Sequence, residues 1–153
     1  MLKYLPIFLI LILSNSAMAS SQNKNVEFIA GVLYAEALGQ SDYAKGLVAT
    51  TIWIRAKGDP KKFYNVCTIP KQYTHPQRNN DPEWKACLAL SKRMYAGSFR
   101  PLSIQRSNGS WVHPDHFYTS NYPTPFWARG KWYKKVGNFR FFQLGKFRTR
   151  GNK

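Results

Sequence analysis

The chain changes character at Gly97, and no other feature constrains its fold as much. Upstream of it, three segments carry apolar residues at helical spacing, each bounded by glycine, proline or a capping side chain. Val26, Ile29, Ala30, Leu33 and Ala37 form one stripe over 26–38, which Gly39 ends. Ser41-Asp42 offers a cap and a first-turn acid for a second helix from Asp42 to about Ala56. Its apolar positions are Leu47, Val48, Ile52 and Trp53 or Ile54, and Gly58-Asp59-Pro60 closes it. Asp81-Pro82-Glu83 is a strong start for a third helix, with Trp84, Cys87, Leu88 and Met94 or Tyr95 as its core positions. Residues 59–81 between them predict an irregular excursion carrying Gln72-Tyr73-Thr74, the kind of loop that holds substrate-contacting groups. Downstream, residues 98–110 are polar and proline-interrupted, while 116–119 and 139–144 predict short strands or extended segments. Asn121 to Gly130 reads as an aromatic-lined loop around Trp127. The expected fold class is α+β, mainly α. It is a single domain with three or more helices, and short strands or extended segments occupy its C-terminal half.

The N-terminus points out of the cytoplasm. Lys3 precedes a short apolar run from Leu5 to Leu13, and Ala17-Met18-Ala19 supplies a small-x-small cleavage site. That plan predicts a secretory signal peptide over 1–19, which leaves one compact domain over 20–145 and a basic tail over 146–153. An uncleaved anchor is the alternative, although the apolar run is short for a span. With 23 Lys and Arg against seven acids, the formal net charge is +16. Such a balance calls for polyanionic surroundings. For an exported chain these are peptidoglycan carboxylates, anionic envelope polymers or a membrane surface, and not nucleic acid. Export also permits a Cys67–Cys87 disulfide, which is expected to close a loop worth roughly 3 kcal/mol by the chain-entropy argument. Two buried free thiols are the alternative.

Glu36 is the candidate for chemistry. Its helical neighbours at i−3, i−4 and i−7 are Leu33, Val32 and Ile29, all apolar. A carboxyl group there loses solvent, its charged form is disfavoured and its pKa rises, which prepares a general acid for glycosidic-bond cleavage. A helix-edge carboxylate paired with a cation would produce the same pattern. His113-x-x-His116, with Asp115 between, has a zinc-like look, yet Pro114 disfavours a helical i, i+3 pair and no third ligand is evident. No metal and no cofactor is expected. There is no Gly-x-Ser-x-Gly elbow and no glycine-rich phosphate loop. Ten Phe, nine Tyr and five Trp supply faces for stacking on sugar rings or on bases. The leader favours the sugar.

The order of short motifs resembles that of the SleB-type cell wall hydrolases, the family that includes spore-cortex-lytic enzymes. The likeness runs from about Val26 to Leu144. Ile29 to Ala37 is similar to the family's opening helix, in which a Tyr-x-Glu-Ala element carries the catalytic glutamate. Gly46 to Ala49 with Ile54-Arg55, Phe63 to Cys67, Gln72-Tyr73-Thr74, His116-Phe117-Tyr118, Pro125 to Ala128 and Val136-Gly137-Asn138 continue the order. Two departures stand out: Leu38-Gly39-Gln40 replaces Arg-Gly-Glu, and Gly137-Asn138-Phe139 replaces Gly-Asn-His. The resemblance implies a lysozyme-like domain that cuts peptidoglycan glycan strands between N-acetylmuramic acid and N-acetylglucosamine as a lytic transglycosylase. Glu36 would act as acid and then base, leaving 1,6-anhydromuramyl ends. Gln72, Tyr73, His116, Tyr118 and Trp127 are the candidates for binding substrate. Hydrolysis to a reducing end and cleavage of the muramyl–peptide amide are the alternatives within the enzyme class. A basic wall- or membrane-binding module is the alternative outside it. A monomer in the periplasm or cell wall is expected.

Overall fold

In the computed structural model the first apolar stripe forms α1, helical over residues 22–37. The structure describes residues 22–70 and 72–145, so the expected signal peptide and basic tail lie outside the described residues. Among those residues no helix is long and apolar enough to cross a membrane. Next comes α2 (Asp42–Arg55), where the Ser41 hydroxyl caps the N-terminus by accepting from the Ala44 amide at 3.2 Å. A 3-10 turn (Pro60–Lys62) leads into α3 (Phe63–Cys67), and α4 spans Pro82–Tyr95. Asp81 caps α4, accepting from the Trp84 amide at 2.7 Å.

Ten of the fourteen residues of α2 are buried, so it is the central helix and its neighbours cover it. The apolar cluster joins Ile29 and Leu33 of α1, Leu47 and Ile52 of α2, Phe63 of α3 and Met94 of α4. The Ser91 hydroxyl ties α4 to α1 by donating to the Val26 carbonyl at 2.8 Å.

The second half is extended. A small hairpin pairs β1 (Ile104–Gln105) with β2 (Trp111–Val112). A three-stranded antiparallel sheet follows, built from β3 (His116–Thr119), β4 (Lys134–Val136) and β5 (Phe139–Phe142) in the order β3-β5-β4. Its register sets His116 opposite Phe142 and Tyr118 opposite Arg140. Side chains alternate across a sheet, so His116, Tyr118, Arg140 and Phe142 share one face. Phe117, Phe139 and Phe141 share the other, where they pack ring to ring with one another and join the apolar cluster of the helices.

Four expectations need correction. The excursion over 59–81 is not wholly irregular, because it holds the 3-10 turn and α3. Five residues are too few to show a helical period, and α3 owes its existence to the burial of Phe63, Val66 and Cys67. The hairpin β1–β2 and the strand β4 are likewise absent from the expectation, each being two or three residues long. On α4 the fully packed leucine is Leu90, while Leu88 is only partly buried against the cluster. Finally, Cys67 and Cys87 are free thiols. Each packs into the apolar cluster from its own helix as a small hydrophobe. Burial pushes their pKa values up to about 12 and about 11.

Candidate active site

Glu36 lies in the last turn of α1, half-buried, where the helix's partial negative charge offers an anion no help. Its partner is Thr74, whose amide and hydroxyl both donate to the carboxyl. Loss of solvent pushes the Glu36 pKa up, and the two Thr74 bonds pull it only part of the way back. Gly31 makes this contact achievable. The Gln77 amide donates to the Gly31 carbonyl at 3.1 Å. A Cβ at position 31 would meet the Gln77 carbonyl oxygen and the Pro76 Cβ at 2.9 Å. The segment carrying Thr74 therefore lies directly on the helix backbone. Beyond it, Asn79 donates to the Tyr34 hydroxyl at 2.7 Å, and that hydroxyl donates to Asp81 at 2.6 Å.

Glu36 opens into a cleft of about 500 Å³. Arg55 comes to it from α2, Gln72, Tyr73 and Thr74 from the excursion, and His116 to Thr119 from β3, the sheet's edge strand. Pro125 and Trp127 close it from the loop that precedes β4. All six site residues read from the sequence therefore meet in one cavity: Glu36, Gln72, Tyr73, His116, Tyr118 and Trp127. Arg55, Thr74, Phe117, Thr119, Pro125 and Leu144 line it as well, none of them among the candidate substrate-binding residues.

Among the described residues, Glu36 is the one acidic residue lining this cleft. The remaining six carboxylates of the chain are committed elsewhere. Glu27 pairs with Arg78, Asp42 and Glu83 with Lys45, and Asp59 with Lys62. Asp81 caps α4, and hydrogen bonds led by that from Tyr34 hold its pKa below the usual range. Asp115 is 2% exposed and accepts from His116 Nδ1 at 3.0 Å and from the Leu144 and Gly145 amides at 2.8 and 2.9 Å. Burial pushes the Asp115 pKa up, but these donors outweigh it and the net shift is downward. The sequence brought up Asp115 only as part of a zinc-like pattern, whereas here it orients the His116 ring and ties β3 to the residues that follow β5.

The opposite wall is aromatic. His116 and Tyr118 each contact the Trp127 ring, at 5.2 and 6.0 Å between centroids. Tyr118 stacks on Phe142, and Arg140 donates to the Tyr118 hydroxyl at 2.8 Å. Across the cleft, burial pushes the Tyr73 hydroxyl up to about 12 against the opposing pull of Arg55, so it stays a neutral donor. His113 lies apart from the cleft, bonded at Nδ1 to the Leu102 carbonyl. Among the described residues no group of three or more His, Cys, Asp and Glu comes together.

The two departures from the SleB-type pattern meet in space. Gln40 Oε1 accepts from the Asn138 amide at 3.1 Å. Phe139 is buried against Phe117 and Phe141. A role in the cleft at that position is thereby closed.

No family model and no curated protein matches the chain. Among solved structures, the chain is similar to the crystal structure of the catalytic domain of the Bacillus cereus SleB protein, with a TM-score of 0.56 and 16% identity. The match covers 80% of this chain and 91% of that one. At that identity the likeness establishes the fold, an α+β domain of the SleB catalytic type.

Proposed function

We propose that this chain is an exported peptidoglycan-cleaving enzyme that cuts the N-acetylmuramic acid–N-acetylglucosamine bond as a lytic transglycosylase. One observation carries the reading. Among the described residues the cleft has a single carboxylate, and desolvation biases it toward the protonated form that a general acid needs. A fold of the SleB catalytic type and the motif order along the sequence support the same substrate class.

Glu36 gives its proton to the glycosidic oxygen as the bond from the muramyl anomeric carbon breaks. The carboxylate then takes the proton of the muramyl 6-hydroxyl while that oxygen bonds to the anomeric carbon. The net change moves one proton from the 6-oxygen to the leaving oxygen and consumes no water. Two-carboxylate hydrolases need a second acid to attack or to activate water. Asp115, the buried acid near this wall, already accepts three hydrogen bonds. Trp127 and Tyr118 supply faces for the sugar ring. Gln72, His116 and the neutral Tyr73 hydroxyl supply hydrogen bonds that position it.

The test is the mass of products released from purified sacculi. Anhydromuramyl ends, about 18 Da lighter than the hydrated form, are expected. Reducing muramyl ends would replace the transglycosylase by a hydrolase, and free stem peptides would replace it by an amidase. Binding without any release would leave a basic wall-binding module.

A further inference from the structure

A second cavity of about 860 Å³ lies beside the cleft and shares Trp127 and Leu144 with it. Arg106, Asn108, Phe126, Lys131, Trp132 and Gln143 contribute to its walls, and among the described residues no carboxylate does. Arg106 donates to Gln143 Oε1, and its guanidinium carbon lies 5.7 Å from the Trp132 ring centroid. Its Nε is out of water without a hydrogen-bond partner. Neither Arg106 nor Lys131 meets a carboxylate among the described residues. Asn108 spends its side-chain oxygen on Ser110, which leaves its amide nitrogen as a donor. Phe126, 86% exposed among the described residues, adds an apolar surface.

We infer that this cavity receives the stem peptide carried by the muramyl residue whose glycosidic bond is cut. The inference rests on the reading of the cleft as a glycan site. In such a strand the peptide hangs from the lactyl group on C3 of the muramyl ring, a few bonds from the anomeric carbon. A sugar seated on Trp127 with that carbon at Glu36 directs its peptide toward the cavity that has Trp127 as a shared wall. Stem peptides carry free carboxylates and alanine methyls. The carboxylates match Arg106, Lys131 and the Asn108 amide through charge-assisted hydrogen bonds, and the methyls match Phe126 and Trp132. A strand stripped of its peptides keeps only the lactyl carboxylate beside the sugar ring and has no anion or methyl at the reach of a peptide, so these walls select strands that still hold their peptides.

The experiment compares kcat/KM on peptide-bearing strands and on the same strands stripped by an amidase. Wild type should prefer the peptide-bearing strands by about tenfold, the scale of one charge-assisted contact at a partly exposed site. The Arg106→Gln/Lys131→Gln double variant should lose most of that preference, and the loss should appear in KM. Arg106→Lys should retain part of it. If the double variant unfolds, Lys131→Gln, a change at an exposed side chain, carries the comparison. Free stem tetrapeptide should inhibit wild type more than the double variant. Equal rates on both substrates by wild type, or an undiminished preference in the variants, overturns the inference and leaves the glycosidase reading standing. Failure to cut either substrate sinks both. Stronger competition by soluble teichoic acid than by tetrapeptide would reassign the cavity to anionic wall polymers.

Discussion

Glu36 differs from the chain's other carboxylates in what surrounds it. Asp81, Glu83 and Asp59 are held by amides or cations and sit below their ordinary pKa values, whereas loss of solvent raises that of Glu36. Glu36→Gln keeps an oxygen for the Thr74 amide, so the variant should fold. It should release muropeptides at least about a thousandfold more slowly, within the usual span for a lost general acid–base group. Activity retained in a folded variant would end the assignment. The raised pKa also has a sign in stability. A carboxyl group whose pKa is higher folded than unfolded stabilises fully below the unfolded value and loses that contribution as pH rises through the folded value. At neutral pH the variant should therefore be at least as stable as wild type, and the gap should close in acid. Unfolding midpoints across pH read this directly, and a variant less stable at neutral pH would contradict it. The wild-type rate should fall as pH rises through a value above the ordinary glutamate range.

At the scale of elements, the site depends on a loop lying on a helix. Gly31 lets Pro76 and Gln77 touch the backbone of α1, which brings Thr74 to Glu36. An alanine there would gain up to about 1 kcal/mol in helix propensity. It would also place a Cβ 2.9 Å from a backbone oxygen, so the loop must move. Gly31→Ala should cost about tenfold or more in kcat/KM, on the scale that small misplacements of reacting groups produce. The unfolding midpoint should fall by much less than that loss suggests. Wild-type kinetics in that variant would mean the loop's seat does not position Glu36. This juxtaposition was not legible in the sequence, where Gly31 looked like one small residue in an apolar helix. The caps at Ser41 and Asp81 were legible because they act over three residues, as were α1, α2 and α4, whose period repeats over several turns. The short α3 and β4 were not, since packing against distant residues decides such segments.

Across the whole molecule, a net charge of +16 sets long-range attraction and says nothing about chemistry. Binding of the Glu36→Gln variant to sacculi should weaken by about tenfold or more between low and roughly 0.5 M salt, as the screening length shrinks. Salt-independent retention would place the affinity in the aromatic cleft alone. By itself the sequence determined the helical half, the extended half and Glu36 on an apolar stripe, because those signals repeat within a few residues. It also offered Gln72, Tyr73, His116, Tyr118 and Trp127 as separate candidates. Only the tertiary structure decided that they share one cleft, that Cys67 and Cys87 stay unpaired, and that Asp115 orients His116. The physical reason is range. Periodicity and caps are local, whereas desolvation of a carboxyl group, the seating of a loop and the meeting of two cavities at Trp127 arise between segments far apart in the chain.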